Sequence, residues 1–337
     1  MTGQDAQDAV KGPPSRVAVV AIGRNEGDRL RRCLSSVIGS VETVVYVDSG
    51  STDGSREMAL EEGAHVVELD MSRPFTAARA RNAGFRKTLE VAPDVTYVQF
   101  VDGDCEVEAG WIKAARNHLE TNRAAAVVFG RRRERDPYRS VFNRLCDIEW
   151  DVPPGPVKAC GGDAMIKAEA LRKVGGYRDG MIAGEEPELC VRLRQAGWSI
   201  VCLAHPMTIH DADMTKLGQW WRRALRSGHA FAEGAALHGA APEYHSVREC
   251  RRIVFWGAAL PAVILAAMVF VSPWSALLAL AYPAQVVRLF LKNRPHTPSP
   301  WLFALFTVAG NFPEALGIVK YWWDRLRGAG GTIIEYK

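Results

Sequence analysis

The chain has 337 residues, with 42 Lys plus Arg against 38 Asp plus Glu. That length can bury a full core and exceeds one average domain, so one folded domain plus an appendage is expected. The mild basic excess argues for neither nucleic-acid binding nor disorder, and no nucleic-acid partner is expected.

The first sixteen residues, MTGQDAQDAVKGPPSR, are polar and lack an apolar core, so a flexible N-terminus without a cleavable signal is expected over residues 1–16. Seven scattered cysteines form no C-x-x-C pair and read as reduced thiols of a cytosolic compartment.

From Val17 onward, short apolar runs alternate with helical stretches. VAVVAI (17–22), TVVYV (43–47), AHVVEL (64–69), TYVQFV (96–101) and AAVVFG (125–130) have the near-continuous apolar character of strands buried on both faces. A helix is expected from about Asp53, acting as N-cap, toward a terminating Gly63. Strands separated by helices predict an α/β fold with a mostly parallel sheet.

Ligands in such sheets bind beyond the carboxyl ends of the strands. There the chain places Gly23-Arg24-Asn25-Glu26, then Asp48-Ser49-Gly50, then Asp102-Gly103-Asp104. Two carboxylates one residue apart can present oxygens to one hard cation, and Gly103 lets the backbone turn between them. D-G-D is also ordinary turn chemistry, so its context decides. Asp48, at a strand end before a Ser/Gly/Thr turn, can accept hydrogen bonds from a base or ribose. In GEEPELCVRLRQAG (184–197), Pro187 suits the first helical position and Gly197 the end. Glu185 and Glu186 then stand at a helix N-terminus, where a carboxylate can take a proton from a hydroxyl or merely complement the helix dipole.

Further on, Ile253 to Val287 contains no Asp, Glu, Lys or Arg, enough for a hairpin of two spans of ~17–20 residues turning at Ser272-Pro273. Arg248, Arg251 and Arg252 precede it, and Arg288, Lys292 and Arg294 follow, so both ends are expected on the cytoplasmic side of the inner membrane. The stretch Trp301 to Trp323 carries Asn311, Pro313, Glu314 and Lys320 and reads as an interfacial or re-entrant helix. A soluble helical subdomain is the competing reading of the whole apolar region.

Taken in order, VVAIGRNEGDRLRRCLSSV (19–37), VYVDSGSTDGS (45–55), ARARNAGF (78–85), FVDGDCEVEAGW (100–111), CGGDAMIKAEALRKVGGY (160–177) and GEEPELCVRLRQAGW (184–198) resemble glycosyltransferase family 2, with the GT-A fold. The resemblance spans roughly Val17 to Met214. It implies a Rossmann-like GT-A domain over 17–215; beyond it the composition predicts an amphipathic or interfacial helical linker over 216–252, a transmembrane hairpin over 253–292 and an interfacial or re-entrant helix over 301–327.

The same resemblance implies that Asn25, Glu26, Asp48, Arg81 and Asp102 hold the nucleotide of a UDP or GDP sugar. It implies that Asp102, Asp104 and His210 hold Mg²⁺ or Mn²⁺, and that Glu186, at the family's Gly-Glu-Asp position, or Glu185 is the base. Gly161, Gly162 and Asp163 fall to the acceptor and diphosphate side. So do Gln219, Trp221 and Arg222, which resemble in part the Gln-x-x-Arg-Trp motif of processive polysaccharide synthases, although Arg223 replaces its Trp. The implied activity is inverting sugar transfer to a lipid-linked or glycan acceptor beside membrane lipid, in cell-envelope or exopolysaccharide synthesis. The basic stretch RRRERDPYR (131–139) is expected to be a loop that attracts such an acceptor. A nucleotidyltransferase and a non-catalytic nucleotide-sugar-binding scaffold subunit are the alternatives.

Overall fold

The computed structural model describes residues 16–295 and 297–328, so the expected flexible segment lies outside them except for Arg16. Nine strands form one sheet: β1 Val17–Gly23, β2 Thr43–Asp48, β3 His65–Glu68, β4 Tyr97–Asp102, β5 Cys105–Val107, β6 Ala125–Glu134, β7 Gly155–Val157, β8 Ala164–Lys167 and β9 Ser199–His210. Eight helices accompany them: α1 Asp28–Val37, α2 Ser55–Glu61, α3 Ala77–Val91, α4 Trp111–Thr121, α5 Val141–Glu149, α6 Ala168–Lys173, α7 Glu185–Gln195 and α8 Leu217–His238.

The sheet order is β3-β2-β1-β4-β8-β6-β9-β5, with β7 also paired to β9. All five apolar runs are strands, and the center of β1, Ala18 to Ala21, is fully buried, as its unbroken apolar character requires. The half from β3 to β4 is parallel. Beyond it the sheet is mixed rather than mostly parallel, because β8 runs antiparallel to both β4 and β6, and β5 and β7 run antiparallel to β9. These added strands are three or four residues long, too short to show a periodicity.

Glycine at position 84 sets how closely α3 approaches the sheet. A Cβ there would lie 2.3 Å from Val20 Cγ1 and 3.0 Å from Val47 Cγ2. The close approach brings Arg81, one turn earlier on α3, to the carboxyl edge of β1 and β4.

Two helix starts differ from expectation. Helix α2 begins at Ser55 behind a left-handed Gly54, and Asp53 accepts the Ser55 N–H at 3.0 Å from outside the cap position. Helix α7 begins at Glu185 behind a left-handed Gly184, so Pro187 is its third residue rather than its first. Proline is accommodated there because first-turn N–H groups have no partner within the helix.

Three C-terminal helices, Val247–Phe270, Pro273–Asn293 and Pro300–Leu326, are long and apolar enough to cross a membrane. The first two form the hairpin, turning at Ser272, whose hydroxyl accepts the Trp274 N–H. The third is one unbroken helix through Pro313, so a re-entrant path does not describe it. It lies against α8 with almost no space between backbones: a Cβ on Gly228 would sit 1.9 Å from Glu314 O, and one on Gly317 2.0 Å from Leu225 O. Small residues at a helix crossing permit such contact. A cluster of Phe142, Cys146, Met214 and Trp220 with Leu302 and Phe306 ties the start of this helix to the sheet domain.

Candidate active site

The order of connections reverses between β1 and β4, since the chain builds outward through β2 and β3 before returning to the other side of β1. A crevice opens outside the strands at such a switch point. Here it is a cleft of about 820 Å³. Its lining includes Asn25 and Glu26 after β1, Asp102, Gly103 and Asp104 after β4, Arg81 on α3, Gly161 and Gly162 before β8, Glu185 and Glu186 on α7, and His210 at the end of β9.

Asp102 is gripped from both sides. Arg81 Nη2 donates to its Oδ1 at 2.9 Å and Arg132 Nη2 to its Oδ2 at 2.9 Å. Burial acts to raise its pKa, but the two guanidinium groups hold the carboxyl well below the usual carboxylate range. Gly162 packs directly over this pair, where a Cβ would come within 2.6 Å of Arg81 Nη2 and 2.9 Å of Asp102 Oδ2. Both Asp102 oxygens are thus engaged by arginine, which leaves its neighbor Asp104 as the better-placed cation ligand.

Asp104 Oδ2 lies 3.3 Å from His210 Nε2, and the two form a cluster with the Cys105 thiol. Burial keeps the Cys105 thiol protonated by raising its pKa well above the ordinary value. Burial also lowers the pKa of His210, so the imidazole is neutral at neutral pH and keeps a lone pair. The donor set is therefore one carboxylate and one imidazole in the lining of the cleft. It suits a divalent cation whose remaining positions go to phosphate oxygens and water.

At the opposite end, Arg81 Nη1 contacts Glu185 Oε1 and Glu186 Oε1, both at 2.8 Å. The Glu185 side chain is 4% exposed and that of Glu186 14%. Burial, reinforced by the charge of Glu185, pushes the Glu186 pKa up to about 7. A carboxyl poised near neutrality and open to the cleft has the properties of a general base. Of the two glutamates, Glu186 has them.

Several expected site residues are used otherwise. Asp48 is buried; it accepts from Tyr46 Oη at 3.1 Å and from the Gly50 and Ser51 N–H groups at 3.0 and 2.9 Å, so it shapes the turn after β2. Asn25 lines the cleft, yet its Oδ1 accepts the Thr52 N–H at 2.8 Å and braces the same turn. Asp163 is buried behind Asp102, accepting the Asp102 N–H at 3.0 Å, Arg132 Nε at 2.9 Å and Thr208 Oγ1 at 2.7 Å.

On α8, Gln219 Oε1 accepts the Thr215 and Lys216 N–H groups and caps the helix, while Trp221 and Arg222 point outward. The residues of α8 that line the cleft are Arg223, Arg226, Ser227, Ala230 and Phe231. Each helical residue rotates by ~100°, so a one-residue shift exchanges the inner for the outer face.

Only the second half of the basic segment, residues 135–139, is an exposed turn. Through Glu134 the segment continues β6, with Arg132 turned inward over the Trp150 ring at 5.2 Å. Arg131 pairs with Asp147 and Asp151, and Arg135 with Glu106. Arg132, Trp150, Arg223 and Arg226 are site residues that sequence reasoning missed. For Arg132 the available signal was its place directly after the apolar run that forms β6.

Residues 18–158 match the family model Glycosyl transferase family 2. The pre-mycofactocin glycosyltransferase of Mycobacterium tuberculosis is 29% identical over 244 residues, covering 67% of this chain and 49% of that protein. The glycosyltransferase AglJ of Haloferax volcanii is 30% identical over 97 residues, covering 28% of this chain and 30% of that protein. The chain thus spans about half the length of the mycobacterial relative. Among solved structures, the mannosyltransferase PcManGT of Pyrobaculum calidifontis, in complex with GDP-Man and Mn²⁺, superposes with a TM-score of 0.63 at 20% identity. It covers 94% of this chain and 90% of its own, so the likeness in fold extends beyond the sheet into the C-terminal helices. Residues 18–158 thus carry the match to glycosyltransferase family 2, within a chain that has the GT-A fold followed by C-terminal helices.

Proposed function

We propose that the protein is a membrane-anchored, cation-dependent inverting glycosyltransferase that moves a sugar from a UDP or GDP sugar to the hydroxyl of a lipid-linked or glycan acceptor. The observation that carries this reading is the sharing of one switch-point cleft by the Asp104–His210 pair and by Glu186. Asp104 and His210 would hold Mn²⁺ or Mg²⁺, which when bound stabilizes negative charge on the departing nucleoside diphosphate. Glu186 takes the proton of the acceptor hydroxyl as its oxygen bonds to the anomeric carbon and the bond from that carbon to the diphosphate breaks. Arg81 holds Glu185, Glu186 and Asp102 in register. Arg223 and Arg226, on the α8 wall, face the side where an anionic acceptor or the diphosphate would lie.

The hairpin supports the anchor. Its two helices expose Leu265, Val269, Phe270, Trp274 and Leu277, an apolar surface suited to lipid rather than water. The start of the third helix returns to the sheet domain, where Arg144 Nε donates to Ser299 Oγ at 3.2 Å, so both ends of the hairpin lie on the catalytic side. Basic flanks at those ends favor the cytoplasmic face of the inner membrane, consistent with a role in envelope or exopolysaccharide synthesis. Two crossings by the hairpin, with the third helix packed against α8 at the interface, fit this arrangement.

The test is transfer from a panel of UDP and GDP sugars to polyprenyl-linked acceptors with Mn²⁺ or Mg²⁺. One donor should be turned over by the wild type and not by Asp104→Asn. Transfer that survives Asp104→Asn unchanged would remove the cation from the mechanism, and nucleotide binding without turnover of any donor would favor a scaffold.

A further inference from the structure

Glu134 lies outside the cleft lining and takes no part in the chemistry above, yet the sheet delivers it to His210. Strands β6 and β9 pair with Glu134 directly opposite His210, and β5 on the other side of β9 pairs Cys105 with the same histidine. The imidazole is therefore held between two acids: Nε2 faces Asp104 Oδ2 at 3.3 Å, and Nδ1 faces Glu134 Oε2 at 3.5 Å. The Trp150 ring stands edge-on to it at 4.7 Å.

The Glu134 side chain has no exposure, and its location is fixed independently of His210. Asn143 Nδ2 donates to its Oε1 at 3.1 Å, and the Ala212 N–H to its Oε2 at 3.1 Å. Removing a carboxylate from water is costly, and two neutral donors compensate it only in part. His210 Nδ1, buried and without another hydrogen-bond partner, lies 3.5 Å from that same Oε2, a few tenths of an ångström longer than a hydrogen bond.

We infer that Glu134 is a positioning residue for the cation site: as acceptor for the Nδ1–H of His210 it fixes the imidazole tautomer and turns the Nε2 lone pair toward Asp104. This rests on the cation-dependent reading proposed above. The physical basis is general, since a histidine that binds a metal through one nitrogen needs a defined acceptor for the proton on the other.

The experiment uses the full chain in detergent micelles and reads Mn²⁺ affinity by electron paramagnetic resonance, with UDP or GDP present. Metal-free melting and metal-free nucleotide binding are measured beside it. Glu134→Gln should weaken Mn²⁺ binding by ~10–100-fold, the usual effect of losing such a partner, while metal-free nucleotide binding stays at the wild-type value.

Asn143→Ala breaks the same buckle from its far side while leaving Glu134 facing His210. It should lower the melting temperature without an equal loss of Mn²⁺ affinity. An Asn143→Ala variant that loses Mn²⁺ as fully as Glu134→Gln would make Glu134 merely structural and overturn the inference. Wild-type Mn²⁺ affinity in Glu134→Gln, alongside loss in Asp104→Asn and His210→Ala, would also overturn it. Wild-type affinity in Asp104→Asn and His210→Ala would instead defeat the cation site itself, and the inference with it.

Discussion

Replacing Arg81 with Met removes one guanidinium that touches three carboxylates, Asp102 at 2.9 Å and Glu185 and Glu186 at 2.8 Å each. Met preserves much of the volume, so the effect is electrostatic. Asp102 keeps Arg132 on its other oxygen, whereas Glu185 and Glu186 are left adjacent without their cation. Leaving a buried charge unpaired costs about 3–5 kcal/mol. Protonation of one glutamate relieves part of that cost, so the loss depends on pH.

The Glu186 pKa, already near 7 through burial and the charge of Glu185, rises further once the lowering influence of Arg81 is gone. A carboxyl whose folded pKa lies above its unfolded value of ~4.5 contributes stability below that value and loses it as pH rises through the folded pKa. Arg81→Met should therefore be nearly tolerated at pH 5 and destabilized by several kcal/mol at pH 8.5, by denaturant titration in micelles. Its kcat should fall at neutral pH and recover partly in alkali, as the acid limb moves upward. Equal stability of variant and wild type at both pH values, with an unmoved pH–rate profile, would refute this account of the clamp.

In the wild type, activity should fall as pH drops through about 7, where Glu186 takes up its proton, and Glu186→Gln should lose that limb along with ~10²–10⁴-fold in rate. Gly162→Ala should disturb the Arg81–Asp102 pair and cost ~1–3 kcal/mol, read by thermal melting and kcat. Gly161→Ala, with open space where its Cβ would stand, should be close to neutral by the same measurements. Leu265→Arg and Leu277→Arg on the exposed hairpin faces should each weaken membrane partition by ~2.5–3.5 kcal/mol in liposome flotation, leaving nucleotide-stabilized melting of the sheet domain in place. Undiminished flotation of the double variant would remove the hairpin as anchor.

What the sequence determined by itself was local. Apolar runs marked β1 to β4 and the start of β6, and a polar residue directly after such a run must stand at a strand end. Asp102 and Asp104 stood out for that reason and Glu185 and Glu186 for the helix start behind Gly184, while the order of the motifs carried the resemblance to the family whose model matches residues 18–158. Tertiary structure decided which neighbor each of those residues meets.

Arg132 and Glu134 looked like members of a basic loop, because the irregular pairing of β6 with β9 that turns them toward Asp102 and His210 exists only between strands distant in sequence. Asp163 and Asp48 were chemically plausible contacts, yet buried donors occupy them, and a carboxylate already satisfied within the fold has little left for a ligand. Along α8 the pattern could not distinguish Arg222 from Arg223, since the choice depends on the helix's rotation, which its packing against Glu314 and Gly317 sets. Strand ends are a property of the chain, whereas register, helix rotation and the sharing of buried charge belong to the assembled fold.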